Sequence, residues 1–381
     1  MKNLLKFVFF ITLCTLFTPL LTVGVVKSMD AEGETQLTEP ATLVSENHLL
    51  QTGQKSYDKT TTITLYTLGE CRKINLQEYL TGVLAAEMSA GFPEEALKAQ
   101  AVAARTYTLY KLDLFQEGTK PEGHHGADLC DDPGHCEAFA DLTVQAADLW
   151  GDSAAIYQQR LQAAVEATDG IVLIYEEQPI AAVFCAAAGE KTEKAGDIWG
   201  SDLPYLISVD SPGGEDCSRY YGEVTISQSD FVKTMQSKWP ETDFSGQPTA
   251  WFRDSHRTEA GSIIDVLVGD VLLIGSEVRL ALGLNSANFK VKVEGENLIF
   301  TTIGYGHGVG MSQYGARYFA LDGDTYDQIL SHYYPGTQLR LQGGLHKESH
   351  LGRYYSRRCT ICRKAILFSV YYSLRSAKGF T

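Results

Sequence analysis

The sequence predicts an α+β fold with mixed sheets and packed helices, preceded by one N-terminal transmembrane helix. Three observations support this: an uncharged apolar run from Phe7 to Val26, segments of alternating hydrophobicity, and segments with apolar residues at helical spacing. Strand and helix patterns are mixed without the regular alternation that a doubly wound parallel sheet requires. The 381 residues, 44% apolar and 21% charged, exclude a wholly disordered or fibrous protein.

The N-terminal run is long enough to cross a membrane. At about 1.5 Å per residue, Phe7 to Val26 would cover the roughly 30 Å hydrocarbon layer. Lys2 and Lys6 favour a cytoplasmic N-terminus, which places everything after Lys27 on the extracytoplasmic side of the cell membrane. A cleaved signal peptide is the alternative, although no small-x-small cleavage site follows the run.

Composition divides the rest of the chain into three parts. Residues 28–60 are acidic and poor in aromatic side chains, which predicts a disordered stalk. Residues 61–340 form the main domain, and residues 341–381 form a basic tail that either contacts an anionic polymer or membrane or has no function. The formal net charge of −15 argues against general binding to nucleic acid.

The elements of the main domain follow from periodicity. Alternation from Thr61 to Tyr66 predicts a strand, and Leu76 opens a helical pattern. Pro93 with two following acids opens an alanine-rich helix that we expect to be buried. The later predictions are a helix at 154–168 and strands at 170–175, 179–184, 263–268 and 271–274.

Glu87 is the candidate catalytic residue in this pattern. It follows Leu80 by seven residues, Val83 by four and Leu84 by three, so it projects from the apolar face of its helix. Desolvation raises the pKa of such a carboxyl, as a general acid near neutrality requires. The alternative is a structural ion pair with Lys98 or Arg105 on the next helix.

A glycine- and aspartate-rich loop contains a possible metal site. His124, Cys130, His135 and Cys136 provide two imidazoles and two thiolates, the donor set of tetrahedral zinc. Four protein ligands would close the coordination sphere, so the zinc is expected to be structural. A Cys130–Cys136 disulfide is the alternative, and His125 could replace His124.

The other cysteines leave several pairings open. Cys71 could pair with Cys217, or both could be free thiols. Cys359 and Cys362 form one CxxC in the tail, which alone is weak support for a metal.

Several sequence blocks occur in a recognisable order between Thr61 and Gly336. They are Glu78-Tyr79-Leu80-x-Gly82-Val83, Glu87-Met88, Glu95 to Tyr107, Thr168-x-Gly170, Ile198-Trp199-Gly200, Pro204-Tyr205-Leu206, Gly306 to Ala316, and Ile329-Leu330-x-x-Tyr333-Tyr334-Pro335-Gly336. Together they resemble the stage II sporulation protein D family, which includes amidase enhancers. Some members of that family also carry a cysteine and histidine zinc cluster at the place of the loop described above.

The resemblance implies a lytic transglycosylase of peptidoglycan, active during sporulation and engulfment. It would cleave peptide-stripped glycan strands to 1,6-anhydro ends with Glu87 as acid and base, beside a sporulation amidase of the stage II sporulation protein P type. A non-catalytic amidase enhancer that binds cell-wall glycan is the alternative.

Further residues are expected around Glu87. Lys98, Gln100 and Arg105 could orient Glu87 or hold sugar hydroxyls, and Tyr205 could stack on a pyranose ring. The glycine-rich block containing His307, Ser312 and Gln313 is expected to line the glycan cleft, although a tight structural turn would have the same composition. Other residues considered are Asp197, Asp202 and Asp210 as further acids, and Cys185 with His307 as a nucleophilic pair.

Overall fold

The computed structural model describes residues 56–117 and 120–342. Within this part of the chain no helix has the length and apolar character needed to cross a membrane. The predicted anchor lies outside the described residues, as do most of the stalk and all but residues 341 and 342 of the basic tail.

The described chain has an α+β architecture, as predicted, with several small sheets and packed helices. The elements up to residue 199 are α1 (Tyr57–Thr60), β1 (Thr62–Thr67), β2 (Glu70–Asn75), α2 (Leu76–Glu87), α3 (Glu94–Glu117), β3 (Leu129–Cys130), α4 (Leu142–Trp150), α5 (Ala154–Ala167), β4 (Ile171–Tyr175), β5 (Gln178–Pro179), β6 (Phe184–Cys185) and α6 (Ala195–Trp199). The later elements are β7 (Tyr221–Ser227), α7 (Gln228–Lys238), β8 (Phe252–Arg257), β9 (Ile263–Val268), β10 (Val271–Ile274), α8 (Gly275–Leu282), β11 (Phe289–Glu294), β12 (Asn297–Ile303), β13 (Met311–Ser312), α9 (Gln313–Asp322), α10 (Tyr326–Tyr333) and β14 (Gln338–Leu341).

Helix α3 is the centre of the first hydrophobic core. It contacts α2, α5, α9, α10 and β4. Its alanines let these neighbouring backbones approach closely, as the composition predicts. The fully buried members are Ala96, Ala99, Ala101, Ala103 and Ala104.

Three small sheets border this first core. Their strand orders are β2-β1-β3, β14-β4-β5 and the parallel pair β13-β6. The pair β13-β6 joins Met311 to Phe184 and Ser312 to Cys185, which fixes the start of α9 beside the chain that follows β5.

A second hydrophobic core, not anticipated from the sequence, lies between residues 221 and 303. Two antiparallel three-stranded sheets, β10-β9-β8 and β11-β12-β7, enclose it together with α7 and α8. Phe231 is fully buried there and stacks on Trp251 with ring centroids 5.6 Å apart.

The N-terminal edge of the main domain differs from the prediction. Residues 57–60 form α1, and the carboxylate of Asp169 accepts hydrogen bonds from Ser56 Oγ and from the backbone N–H groups of Tyr57 and Asp58. The disordered stalk predicted to reach residue 60 is therefore wrong for these residues, because a carboxylate distant in sequence binds their backbone.

The predicted strand at 179–184 is also only partly correct. Gln178 and Pro179 form β5 and pair with β4, whereas Phe184–Cys185 forms β6 and pairs with β13. An apolar run cannot show by itself with which strand it pairs, because that choice depends on distant partners.

Candidate active site and metal centre

Glu87 is the last residue of α2 and presents a half-buried carboxyl. Its Oε1 accepts a hydrogen bond from the backbone N–H of Ala138 over 3.2 Å. Burial raises the pKa of Glu87 from the ordinary 4.5 to about 6, and the Ala138 hydrogen bond partly opposes that rise. The carboxyl can therefore hold or release a proton close to neutral pH.

The two cations considered as partners of Glu87 are engaged elsewhere. Lys98 Nζ lies 2.6 Å from Glu94 Oε1 and 2.9 Å from Glu95 Oε1, within the first turns of its own helix. Neither Lys98 nor Arg105 pairs with Glu87 among the described residues. Helical spacing correctly put both on one helix but could not show which way their long side chains extend.

Arg105 forms a buried ion pair that the sequence did not reveal. Its Nη2 lies 2.6 Å from Asp58 Oδ2 and its Nε 3.0 Å from Oδ1, and both side chains are essentially inaccessible at 0% and 1% exposed. The predicted contact of Arg105 with sugar or Glu87 is thus corrected: this guanidinium ties α1 to α3 inside the core.

Tyr205 and Gln100 are also interior residues. Tyr205 is 7% exposed, and its hydroxyl accepts a hydrogen bond from Ala181 N at 3.3 Å, so its ring has no free face for a pyranose. Gln100 is fully buried and its Oε1 lies 3.5 Å from Gln313 Nε2. The stacking role predicted for Tyr205 is incompatible with this placement.

The glycine-rich block from residue 306 to 316 carries the strand β13 and the start of α9. Ser312 is the N-cap of α9: its Oγ accepts hydrogen bonds from Gly315 N and Ala188 N, both at 3.2 Å. Gln313 is also buried. Ser312 therefore stabilises the turn, the alternative that its composition left open, whereas Gln313 contacts Gln100 on α3.

His307 is a half-buried residue of this block. Its Nδ1 accepts from Val309 N at 3.0 Å, and its ring lies 5.3 Å from that of Trp199. Burial and the nearby Arg279 lower the pKa of His307 to about 4, so the imidazole is neutral at physiological pH.

Cys185 lacks the properties of a nucleophile. Its thiol is buried, and burial raises its pKa to about 12. A thiol with a pKa of about 12 stays protonated, and an imidazole with a pKa of about 4 is too weak a base to remove its proton, which argues against the Cys/His hydrolase considered above.

The three additional acids considered lie in other surroundings. Asp202 Oδ1 is 3.0 Å from Lys194 Nζ, Asp210 is exposed, and Asp197 is in the first turn of α6. Two buried glutamates, Glu137 and Glu193, were not predicted from the sequence. Each follows a cysteine or a threonine in an irregular segment, so no hydrophobic periodicity marked it as buried.

The four predicted metal ligands come together in the loop after α3. Ligand atoms of His124, Cys130 and His135 lie within 4.8 Å of one another, and all three residues are buried. Cys136 Sγ completes the group at 3.4 Å from His124 Nε2. His125 instead lies exposed with its ring 4.2 Å from that of Tyr66.

The thiols in the described residues are free. Cys130 and Cys136 are buried and unbonded, and so is Cys217, whereas Cys71 is exposed. The alternative disulfides Cys130–Cys136 and Cys71–Cys217 are therefore not formed. Cys14, Cys359 and Cys362 lie outside the described residues.

Comparison with known proteins gives consistent matches. The family model described as stage II sporulation protein matches residues 66–175. The stage II sporulation protein D of Bacillus subtilis is 37% identical over 269 residues, covering 70% of this chain and 74% of the relative. The protein of the same name from Bacillus amyloliquefaciens is 36% identical over 266 residues, covering 70% and 74%.

A second type of relative is also similar. An amidase enhancer of Bacillus subtilis is 29% identical over 309 residues, which covers 68% of this chain and 40% of that protein.

Proposed function

The chain belongs to the stage II sporulation protein D family, with a role in the cell wall during sporulation, and we propose that it is a peptidoglycan lytic transglycosylase. Its substrate would be glycan strands whose stem peptides have been removed. Glu87 would be both the acid and the base of the reaction. The half-buried carboxyl with a pKa of about 6 is the observation that supports this most directly.

The reaction needs only one carboxyl. Glu87 donates its proton to the glycosidic oxygen as the C1–O bond breaks, and the C6 hydroxyl of the same sugar forms the new bond to C1. The Glu87 carboxylate then accepts the proton of that hydroxyl, which regenerates the acid and leaves a 1,6-anhydro end. No water is consumed, unlike the hydrolytic scheme in which two flanking acids act.

The environment of Glu87 suits a residue that acts first as an acid and then as a base. Burial of Glu87 favours its protonated form, while the backbone N–H of Ala138 stabilises its carboxylate. A carboxyl whose pKa lies near the working pH can donate a proton and accept one within the same turnover.

We also propose that His124, Cys130, His135 and Cys136 hold a structural zinc ion. The donor set fits: two buried thiols and two imidazoles converge, and His124 Nδ1 is buried with no hydrogen-bond partner in the described structure. Zinc bound by four protein ligands would supply folding free energy to the loop and would not activate water. The loop would then assist the reaction by holding Ala138, two residues after Cys136, against Glu87.

The setting of the enzyme is part of the proposal. The apolar run Phe7 to Val26 would anchor the chain in the cell membrane with the domain outside. A sporulation amidase is the expected partner, because its product is the stripped strand.

Incubation of the full chain with peptide-free glycan strands, followed by mass spectrometry, tests the activity. Glu87→Gln should lower the yield of anhydro-terminated fragments by at least about 100-fold, since a general acid contributes that much or more. Glu78→Gln is the matched control, because Glu78 is an exposed residue of the same helix. Equal yields from the wild type and Glu87→Gln would refute the role of Glu87.

The alternative function is that of an amidase enhancer that binds glycan and cleaves nothing. The similarity to the Bacillus subtilis amidase enhancer is the observation in its favour. This function predicts glycan binding and faster amidase turnover without anhydro ends, and it predicts that Glu87→Gln changes neither.

A further inference from the structure

Arg279 is a half-buried cation with no acidic partner in the described structure. It lies on α8, and its Nε donates a hydrogen bond to the carbonyl oxygen of Leu284 over 3.3 Å. No carboxylate oxygen of the described residues lies within 4.0 Å of its guanidinium. Arginine remains charged in proteins, and a charge removed from water without a partner is costly. An anionic ligand would supply the partner that the described residues lack.

A second guanidinium contacts Tyr305. Arg219 Nη1 donates to Tyr305 Oη over 2.6 Å, and its Cζ lies 4.5 Å from the ring centroid. Arg219 likewise has no carboxylate within 4.0 Å among the described residues. Tyr305 also lies close enough to Arg279 to affect its pKa, so both arginines, which lack acidic partners among the described residues, are near one tyrosine.

The backbone holds this arrangement in place. Asn285 Nδ2 donates to the carbonyl of Arg219 at 2.8 Å, and the Asn285 carbonyl accepts from Gly306 N at 3.0 Å. Tyr305 exchanges two backbone hydrogen bonds with Ala187, at 3.0 and 2.7 Å. The arginine pair is therefore part of the framework that carries His307.

A groove lies over the outer face of the sheet β11-β12-β7. It has a volume of about 370 Å³ and is lined by Tyr221 and Ile303 at one end and by Lys290 and Thr301 at the other. Tyr221 is 68% exposed, and such an exposed ring can pack against a sugar. The ladder between β7 and β12 continues through the hydrogen bond from Gly304 N to Tyr220 O, which brings Arg219 and Tyr305 to the end of the groove.

The charge of the ligand follows from the two guanidiniums. Neither Arg279 nor Arg219 has an acidic partner among the described residues, so both are complementary to an anionic group. The planar fork of arginine matches a carboxylate. In peptidoglycan, removing the stem peptide converts the lactyl amide of muramic acid into a free carboxylate.

We propose that Arg279, with Arg219 beside it, binds the free lactyl carboxylate of a muramic acid residue. This inference rests on the proposed function and deepens it. The pair would distinguish stripped strands, which carry the carboxylate, from strands that still carry peptides, which present an amide.

Two substrates and three variants test the inference. Stripped strands are compared with the same strands whose lactyl carboxylates are converted to methylamides. Arg279→Gln should raise KM for the free-acid strands about tenfold with kcat little changed, and Arg279→Lys should restore part of the loss. The KM of the wild type should be about tenfold higher for the methylamide strands than for the free-acid strands. Arg279→Gln should have the same KM for both. Arg253→Gln is the matched control, because Arg253 pairs with Asp270 in the same part of the chain.

Binding separates this inference from the proposed function. Calorimetric titration of Glu87→Gln with both strands measures recognition without cleavage, and tighter binding of the free acid supports the inference even if the wild type proves inactive. Equal binding of the two strands, or an Arg279→Gln defect of the same size on both, would overturn it. Arg219→Gln gives a second test, because Arg219 is exposed and its replacement leaves the core intact.

Discussion

The backbone N–H of Ala138 donates to Oε1 of Glu87 over 3.2 Å, and this joins the proposed catalytic acid to the cysteine and histidine loop. Ala138 comes two residues after Cys136, whose thiol lies 3.4 Å from His124 Nε2. The pKa of Glu87 therefore depends on the conformation of the cysteine and histidine loop, because the hydrogen bond from Ala138 forms only while the loop holds its position.

The pH dependence of cleavage should report the protonation of Glu87. The acid must be protonated to donate, so kcat/KM should decrease above about pH 6, where burial has placed the pKa of Glu87. The measurement is the initial rate of anhydro-end formation between pH 5 and 9. A rate that stays level up to pH 8 would contradict this assignment.

Glu87→Gln should stabilise the protein at alkaline pH. The pKa of Glu87 is higher in the folded state than its ordinary 4.5, so stability is lost as the pH rises through this interval. A shift from 4.5 to about 6 corresponds to about 2 kcal/mol, the largest gain in unfolding free energy expected at pH 8. Denaturant unfolding of both proteins should show a smaller gain at pH 5; an equal gain at both would indicate a cause other than titration.

Asp58→Ala should destabilise the fold strongly. It would leave the Arg105 guanidinium buried without its counter-ion, a change that costs about 3–5 kcal/mol. Lys59→Ala provides the control, because the Lys59 pair with Glu166 is on the surface and should contribute no more than about 1 kcal/mol. Thermal and denaturant unfolding measure both variants, and similar small effects would show that the Asp58–Arg105 pair is dispensable.

Removal of metal should reduce activity through structure. The purified chain should contain one zinc per molecule, and Cys136→Ser or a chelator should lower the melting temperature and the yield of anhydro ends together. Cys71→Ser should retain both metal and activity, because Cys71 is an exposed thiol outside the cluster. Full activity of a zinc-free, folded chain would exclude the proposed coupling of the loop to Glu87.

Local patterns predicted the main helices and several strands well. The helix that starts at Leu76, the alanine-rich helix and the strands Ile263–Val268 and Val271–Ile274 appear where periodicity put them. Each depends on neighbours a few residues away, so the information is local.

The surroundings of the site were much harder to predict. Arg105 turned out to pair with Asp58, forty-seven residues earlier, and Tyr205 turned out to be buried. Periodicity identifies the face of a helix but not the atoms that distant segments bring to it. Arg279 and Arg219 were not predicted for the same reason: their lack of an acidic partner among the described residues depends on where the acids of distant segments lie.

The sequence by itself determined the fold class, the family, the carboxyl on an apolar helix face and the four residues of the cysteine and histidine cluster. These are properties of residue type and of short spacing, which the chain carries in any conformation. Only the tertiary structure decided which charges neutralise one another, which polar side chains are buried, and that Ala138 reaches Glu87. Those outcomes depend on distances between segments far apart in the chain, and electrostatic and hydrogen-bond energies are set by such distances.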